Sequence, residues 1–309
     1  MRVYRGVDEF VPPEFPIVTT GTFDGVHCGH MEILNRLKTL AKERKGETVL
    51  VSFHPHPRTV IHPDFETKLI HTIDEKIERL EKAGIDHFVI IPFTKEFSRT
   101  SSLEFVRDIL IKELNTKILV IGYDHQFGRN REGSIKDLEE FALTYDFEIE
   151  QIPVQTFEDI NISSTKIRKA LSEGDINMAN QYLGYDFFLT GNVVHGQKMG
   201  KLIGFPTANI DVHNNNKLIP TNGVYAVQVR IDKKYFGGML NIGAKPTVSN
   251  QNKRSIEAHI FDFNQDIYDK EISVHFKRRI RSEQRFPGVV ELGSQLELDK
   301  VLALKILTV

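Results

Sequence analysis

A chain of 309 residues is long enough for two domains, each burying its own core. Its 40 Lys and Arg against 42 Asp and Glu give a formal net charge of −2, so no global positive field draws it to nucleic acid or an anionic membrane, and phosphate recognition must be local. A single cysteine, Cys28, excludes an internal disulfide framework, and no stretch approaches the roughly 20 apolar residues that span a bilayer; the expectation is a cytoplasmic protein whose oligomeric state the sequence leaves open.

From Phe15 to about Phe157 short apolar runs alternate with helical patterns: PIVTTG, MEILNRLKTLAKERK, ETVLVSF, IDEKIERLEKAG and DHFVIIPF, then SSLEFVRDILIKELN, KILVIGYD, SIKDLEEFALTY and FEIEQIPV. This alternation predicts βαβ units stacked into a doubly wound parallel sheet, an α/β domain with its ligand at the carboxyl ends of the strands. The first helix presents Ile33, Leu34, Leu37, Leu40 and Ala41 on one face, and VLVSF reads as a strand buried on both sides. Around Leu183 the texture changes. GVYAVQVRI, KYFGGMLNIG, SIEAHIFDF and EISVHFKRRI follow one another without helical patterns, which predicts an antiparallel barrel or sandwich. VVELGSQLELDKVLALKIL closes the chain as a helix weakened early by Gly293. The expected domains are residues 1–184 and 185–309.

GTFDGVHCGH, residues 21–30, follows the first buried strand and feeds the first helix, where unpaired N–H groups and the helix dipole favour an anion. Its glycines let backbone approach a phosphate, and His27 and His30 can donate to nonbridging oxygens. The same residues also read as a tight strand-to-helix turn, while a zinc site from His27, Cys28 and His30 lacks a second ligand pair. NISSTKIRKAL, 161–171, offers hydroxyls at a helix start followed by Lys166 and Arg168, either a second anion site or a simple N-cap with solvated charges. GYDHQFG, 122–128, carries Asp124 and Phe127, a polar anchor and a ring suited to a planar ligand, or an ordinary β-to-α loop. FHPHP, 53–57, places His54 and His56 at a strand end beside prolines.

In the second half VVHGQKMGKLIGFPTANI, 193–210, fails as a Walker A loop: Gly196 and Gly200 are separated by three residues, Lys201 precedes Leu202, and the context is β-rich. It reads as a glycine-rich hairpin or as a different phosphate loop, with Thr207 and Asn209 as hard oxygen partners of a magnesium nucleotide. In SIEAHIFDF, Ile256, Ala258 and Ile260 alternate with Glu257, His259 and Phe261, so Glu257 projects from the less apolar face as either a general base or a solvated acid.

GTFDGVHCGH with ISSTKIR resembles the HxGH nucleotidyltransferase superfamily. FDGVHCGH, FHPHP, GYDHQFG and ISSTKIR, in this order, look like the N-terminal module of bacterial bifunctional riboflavin kinase/FAD synthetases. GKLIGFPTANI, IPTNGVYAV, NIGAKPTV, SIEAHIFDF and RRIRSEQRF look like the riboflavin kinase module of that family, over about residues 185–309. The resemblance implies a six-stranded Greek-key barrel with a C-terminal helix and two successive reactions. Riboflavin and ATP give FMN, then FMN and ATP give FAD and pyrophosphate, with Mg²⁺ accompanying ATP.

It implies His27 and His30 as phosphate-stabilising groups, with Gly21, Phe23, Gly29, Ser163, Ser164, Thr165 and Arg168 around that ATP, and Asp124 and Phe127 beside the flavin. In the kinase module it implies Glu257 as base, Thr207 and Asn209 as Mg²⁺ and ATP ligands, Gly196 and Gly204 in the nucleotide loop, and Arg281 and Phe286 near the flavin. Two departures stand out: Lys201 where arginine is frequent, and Asp269 where glycine is common. Two rivals remain open: a flavin- or nucleotide-binding regulator without turnover, and an adenylyltransferase for another phosphorylated metabolite.

Overall fold

The computed structural model describes every residue except 65–66, 123–125, 154–161, 197–199, 201–202, 245–253 and 309. Contacts divide the chain into two compact units, Met1–Ser163 and Ser164–Val309. Asp124 and Lys201 lie outside the described residues.

In the first unit six strands form one sheet: β1 (Arg2–Tyr4), β2 (Pro16–Thr20), β3 (Glu47–His54), β4 (His87–Pro92), β5 (Ile118–Ile121) and β6 (Glu148–Gln151), in the order β1-β4-β3-β2-β5-β6. All five pairings are parallel, as the βα alternation predicts. Buried strand residues point alternately to two apolar clusters. Ile17, Leu50, Phe88 and Val120 meet Leu34, Leu37 and Leu40 of α1 (Cys28–Arg44), whereas Val18, Val51, Val89 and Leu119 meet Phe105 and Leu110 on the opposite face. Both faces are therefore covered, which is why these strands are apolar without alternation. Strand order reverses between β2 and β5, so the loops leaving these two strands flank the crevice of a doubly wound sheet. GTFDGVHCGH leaves β2 at that point, and Gly122 of GYDHQFG leaves β5 there, residues 123–125 lying outside the described ones.

The second unit begins with α-helices Ser164–Glu173 and Ile176–Leu183. The latter is tied to the β-structure by Asn180, whose amide donates to Phe276 O at 2.8 Å and accepts from Phe187 N at 2.8 Å. Strands β7 (Phe188–Val194), β8 (Ala208–Asp211), β9 (Gly223–Ile231), β10 (Lys234–Ala244), β11 (Arg254–Ile260) and β12 (Glu271–Arg281) close into a barrel, in the order β10-β11-β8-β7-β12-β9, antiparallel throughout. The final helix, Val289–Thr308, runs through Gly293 without a break and packs Ala303 against Phe205, Ala226, Met239 and Phe261. Asp269 has φ of +62°, the left-handed region that glycine adopts without a Cβ penalty, so an aspartate there carries modest backbone strain.

Candidate active sites

In the first unit β2 ends at Thr20, and Gly21 N donates to Val51 O at 3.0 Å, which anchors the start of the loop to the sheet. The chain then turns through two non-glycine residues in the left-handed region, Phe23 at φ +45° and Val26 at φ +38°. A β-branched residue there is an outlier, and such strain concentrates where a fold must aim groups at a ligand. His27 caps the helix: its Nδ1 accepts from His30 N at 3.3 Å, leaving the neutral ring's proton on Nε2. The His30 ring stacks on it at 3.7 Å and 15°, with Phe23 at 4.8 Å on another side. A Cβ on Gly29 would stand 3.3 Å from the His27 ring, so the glycine makes room for the pair.

Burial, then the charges of His27, Lys76 and His71, hold His30 well below the ordinary imidazole range. His30 therefore meets an anion as a neutral hydrogen-bonding group at a helix N-terminus. His30 Nδ1 is buried and has no hydrogen-bond partner among the described residues.

Beside this loop lies a pocket lined by Asp24, Phe53, His54, His56, His71 and Lys76, none of them weighed in the sequence beyond the two FHPHP histidines. Asp24 is 2% exposed and accepts from Ile70 N and His71 N, both at 3.1 Å, clamping the segment ahead of helix Ile73–Lys82 to the loop. His56 accepts from Arg58 N as the cap of Pro57–Ile61. Burial draws His54 downward. Phe127 is not displayed as an open platform. It is 7% exposed, beside Phe105 in the cluster beneath the sheet. Ser163 ends the first unit, and Ser164, Thr165 and Arg168 lie on the first turns of Ser164–Glu173, assigned by contacts to the second.

The barrel brings the second set together. Glu257 on β11 lies opposite Asn209 on β8, and Thr207 Oγ1 donates to Glu257 Oε2 at 3.5 Å. Burial along β11 alternates as expected: Ile256, Ala258 and Ile260 are buried, Glu257 and His259 half-buried. A Cβ on Gly196 would fall 2.0 Å from Asn209 Nδ2, so only glycine allows this asparagine its place. Gly204, at φ +82°, turns the chain into Phe205. Sequence reasoning missed His259, whose Nδ1 donates to Pro206 O at 2.8 Å and so fixes the residue before Thr207 from the same strand that bears Glu257. Its position two residues from Glu257 was the available signal.

Arg281 is bound in a fork to Asp299 on the last helix, at 2.9, 3.0 and 2.7 Å, with its guanidinium 5.6 Å from the Phe286 ring. Among the described residues no three His, Cys, Asp or Glu side chains converge as a metal cage. Thr207, Asn209 and Glu257 are instead hard oxygen donors, the set suited to a cation that keeps most of its coordination for water and phosphate.

The chain matches the family model described as FAD synthetase over residues 13–166 and that described as riboflavin kinase over residues 183–307. It is 37% identical over 292 residues to the bifunctional riboflavin kinase/FMN adenylyltransferase of Bacillus subtilis, covering 94% of this chain and 92% of the relative. It is 34% identical over 308 residues to the protein of the same name from Escherichia coli K12, covering 98% and 97%. A crystal structure described as a macrolide-efflux protein from Streptococcus pneumoniae superimposes with a TM-score of 0.86 at 30% identity, over 98% of both chains. Among the described residues here, no helix is long and apolar enough to cross a membrane.

Proposed function

The chain belongs to the family of bifunctional riboflavin kinase/FMN adenylyltransferases, and from that premise we propose which of its residues carry the two reactions. Riboflavin is phosphorylated to FMN by the C-terminal module, and FMN is adenylylated to FAD by the N-terminal one.

In the kinase step Glu257 takes the proton of the riboflavin 5′-hydroxyl, whose oxygen attacks the γ-phosphorus of ATP while ADP leaves. The observation that carries this assignment is the convergence of Glu257 on β11, Asn209 on the adjoining β8 and Thr207 just ahead of β8. A carboxylate on a rigid strand, beside two groups able to fix a magnesium nucleotide, is what proton removal at a phosphoryl acceptor requires. Thr207 and Asn209 would hold Mg²⁺, which when bound neutralises phosphate charge. Gly196 and Gly204 shape the nucleotide loop, and Arg281 and Phe286 border the flavin.

Adenylyl transfer needs no protein nucleophile, because an FMN phosphate oxygen attacks the α-phosphorus of ATP and pyrophosphate leaves. His27 and His30 then act as donors to phosphate oxygens, supported by Gly21, Phe23 and Gly29. Ser163, Ser164, Thr165 and Arg168 hold the β- and γ-phosphates, and Asp124 and Phe127 lie near the flavin. We place the functional boundary at 184/185, ahead of the first barrel strand, and the reactions in the cytoplasm, in keeping with the lone Cys28. The partners are small molecules: riboflavin, FMN and ATP.

Incubation with riboflavin, ATP and Mg²⁺, followed by chromatography, is expected to show FMN and then FAD. Glu257→Ala should abolish FMN formation and leave FAD formation from supplied FMN; His30→Ala should do the reverse. Loss of both reactions in either variant would reject the assignment.

A further inference from the structure

Lys76 lies on helix Ile73–Lys82 within the stripe of Ile73, Ile77 and Leu80, and is 7% exposed. Its ammonium donates to Thr22 O at 2.6 Å and to Ser52 Oγ at 3.3 Å, beneath the loop that carries the histidine pair. Burying an ammonium costs several kcal/mol. The carbonyl does not demand one, since the neutral hydroxyl of Ser52 already donates to Thr22 O at 3.2 Å.

The peptide gripped in this way is the one leading into Phe23, whose φ of +45° needs external support. Phe23 in turn packs on His30. Lys76 thus reaches the proposed phosphate site through the backbone, and its charge also disfavours a cationic His30.

We propose that Lys76 is a positioning residue for adenylyl transfer, holding the Thr22–Phe23 peptide and, through Phe23, aiming His30 at the ATP phosphates. This rests on the role given to His30 above. Burial draws Lys76 down to about 8, with the Asp24 carboxylate pulling the other way. The ionisable groups around it are Asp24 on the loop, His30 at the start of α1, His54 at the end of β3 and His56 just after it, and His71 ahead of its own helix. Loss of the proton would strip the bond to Thr22 O of its charge assistance, so the adenylyl-transfer rate should fall as pH rises through about 8.

The test compares full-length wild type, Lys76→Met and Lys76→Arg for FAD formation from FMN and ATP, with riboflavin phosphorylation by the same samples as the control. In Lys76→Met, kcat for FAD formation should fall about 10²-fold, as for a misaligned catalytic group, with a smaller change in KM for ATP. Riboflavin phosphorylation should persist, Lys76→Arg should recover most of the loss, and its alkaline limb should move to higher pH. FAD formation by Lys76→Met within about threefold of wild type would overturn the inference, being far below the loss that misalignment produces. If Lys76→Met does not fold, the other two proteins decide: coincident alkaline limbs in wild type and Lys76→Arg overturn it. Full FAD formation by His30→Ala would instead overturn the site assignment beneath it.

Discussion

On the residue assignment proposed above, the two units solve phosphate chemistry with opposite materials. The first sets a loop with two non-glycine residues at positive φ against the end of a parallel sheet and arms it with a stacked histidine pair, His30 in its neutral form, and a buried ammonium. The second uses unstrained, hydrogen-bonded strands and a carboxylate, Glu257, facing Asn209 across the ladder. The difference follows from the nucleophile. FMN phosphate arrives already anionic, so the first site must offset negative charge; riboflavin arrives as an alcohol, so the second must remove a proton.

The sharpest way to break this contrast is Glu257→Gln, which keeps shape and removes the base. Riboflavin phosphorylation should fall about 10³-fold while adenylylation of supplied FMN is unchanged. A steady-state assay of both products checks it, and a parallel fall in both would mean that the two sites are not independent.

Arg281→Met comes next and probes whether that arginine serves ligand or fold. Asp299 is 0% exposed and receives the guanidinium fork, so removing the cation strands a buried carboxylate and should cost the second unit about 3–5 kcal/mol. Urea unfolding measures this, and Arg281→Met combined with Asp299→Leu should restore most of the loss. A variant with unaltered stability and weakened riboflavin binding would instead place Arg281 wholly with the flavin.

Within the kinase loop, Gly196→Ala should lower riboflavin phosphorylation about 10²-fold by displacing Asn209. Gly204→Ala meets no atom within 4 Å, so its positive φ should cost only about 1 kcal/mol of stability and leave the rate nearly intact. Equal rates for the two variants would remove Asn209 from the chemistry.

What the sequence made legible is what periodicity and loop position encode. The βα alternation predicted the parallel sheet, and both switch-point loops could be picked out before their strands were known to be neighbours. The alternation in SIEAHIFDF placed Glu257 on the half-buried face. Less visible was what depends on three-dimensional exceptions. Strand β1 has three residues and exposed side chains, too little for a pattern. Helix α1 starts at Cys28 rather than residue 31 because an imidazole, not a hydroxyl or carboxylate, caps it. The nine-residue π-helix Phe105–Glu113 follows Ser102–Glu104 without a Gly or Pro to mark it. Lys76 read as one more charge in IDEKIERLEKAG, although its place three residues after Ile73 and four before Leu80 put it on the apolar stripe. Asp299 was concealed in the same way among the charges of the last helix, because its partner is 18 residues distant on a strand.

The smallest expected effect concerns acid. His30 and His54 are drawn below their ordinary range in the folded first unit, with burial the leading cause in both. Near pH 6.5, where an unfolded histidine begins to take up protons, the folded form still excludes them. The unfolded state then binds more protons than the folded one, so stability is full above that pH and declines as pH falls toward the lowered folded values. In the barrel His259 is also drawn down by burial, a shift opposed by its bond to Pro206. Amide exchange, corrected for its intrinsic pH dependence, should therefore show α1 losing more protection than β9 between about pH 7 and about pH 5.5. Equal losses would mean that the buried imidazoles of the first unit gain access to water before the fold opens, and the electrostatic distinction between the two sites would be weaker than their geometry implies.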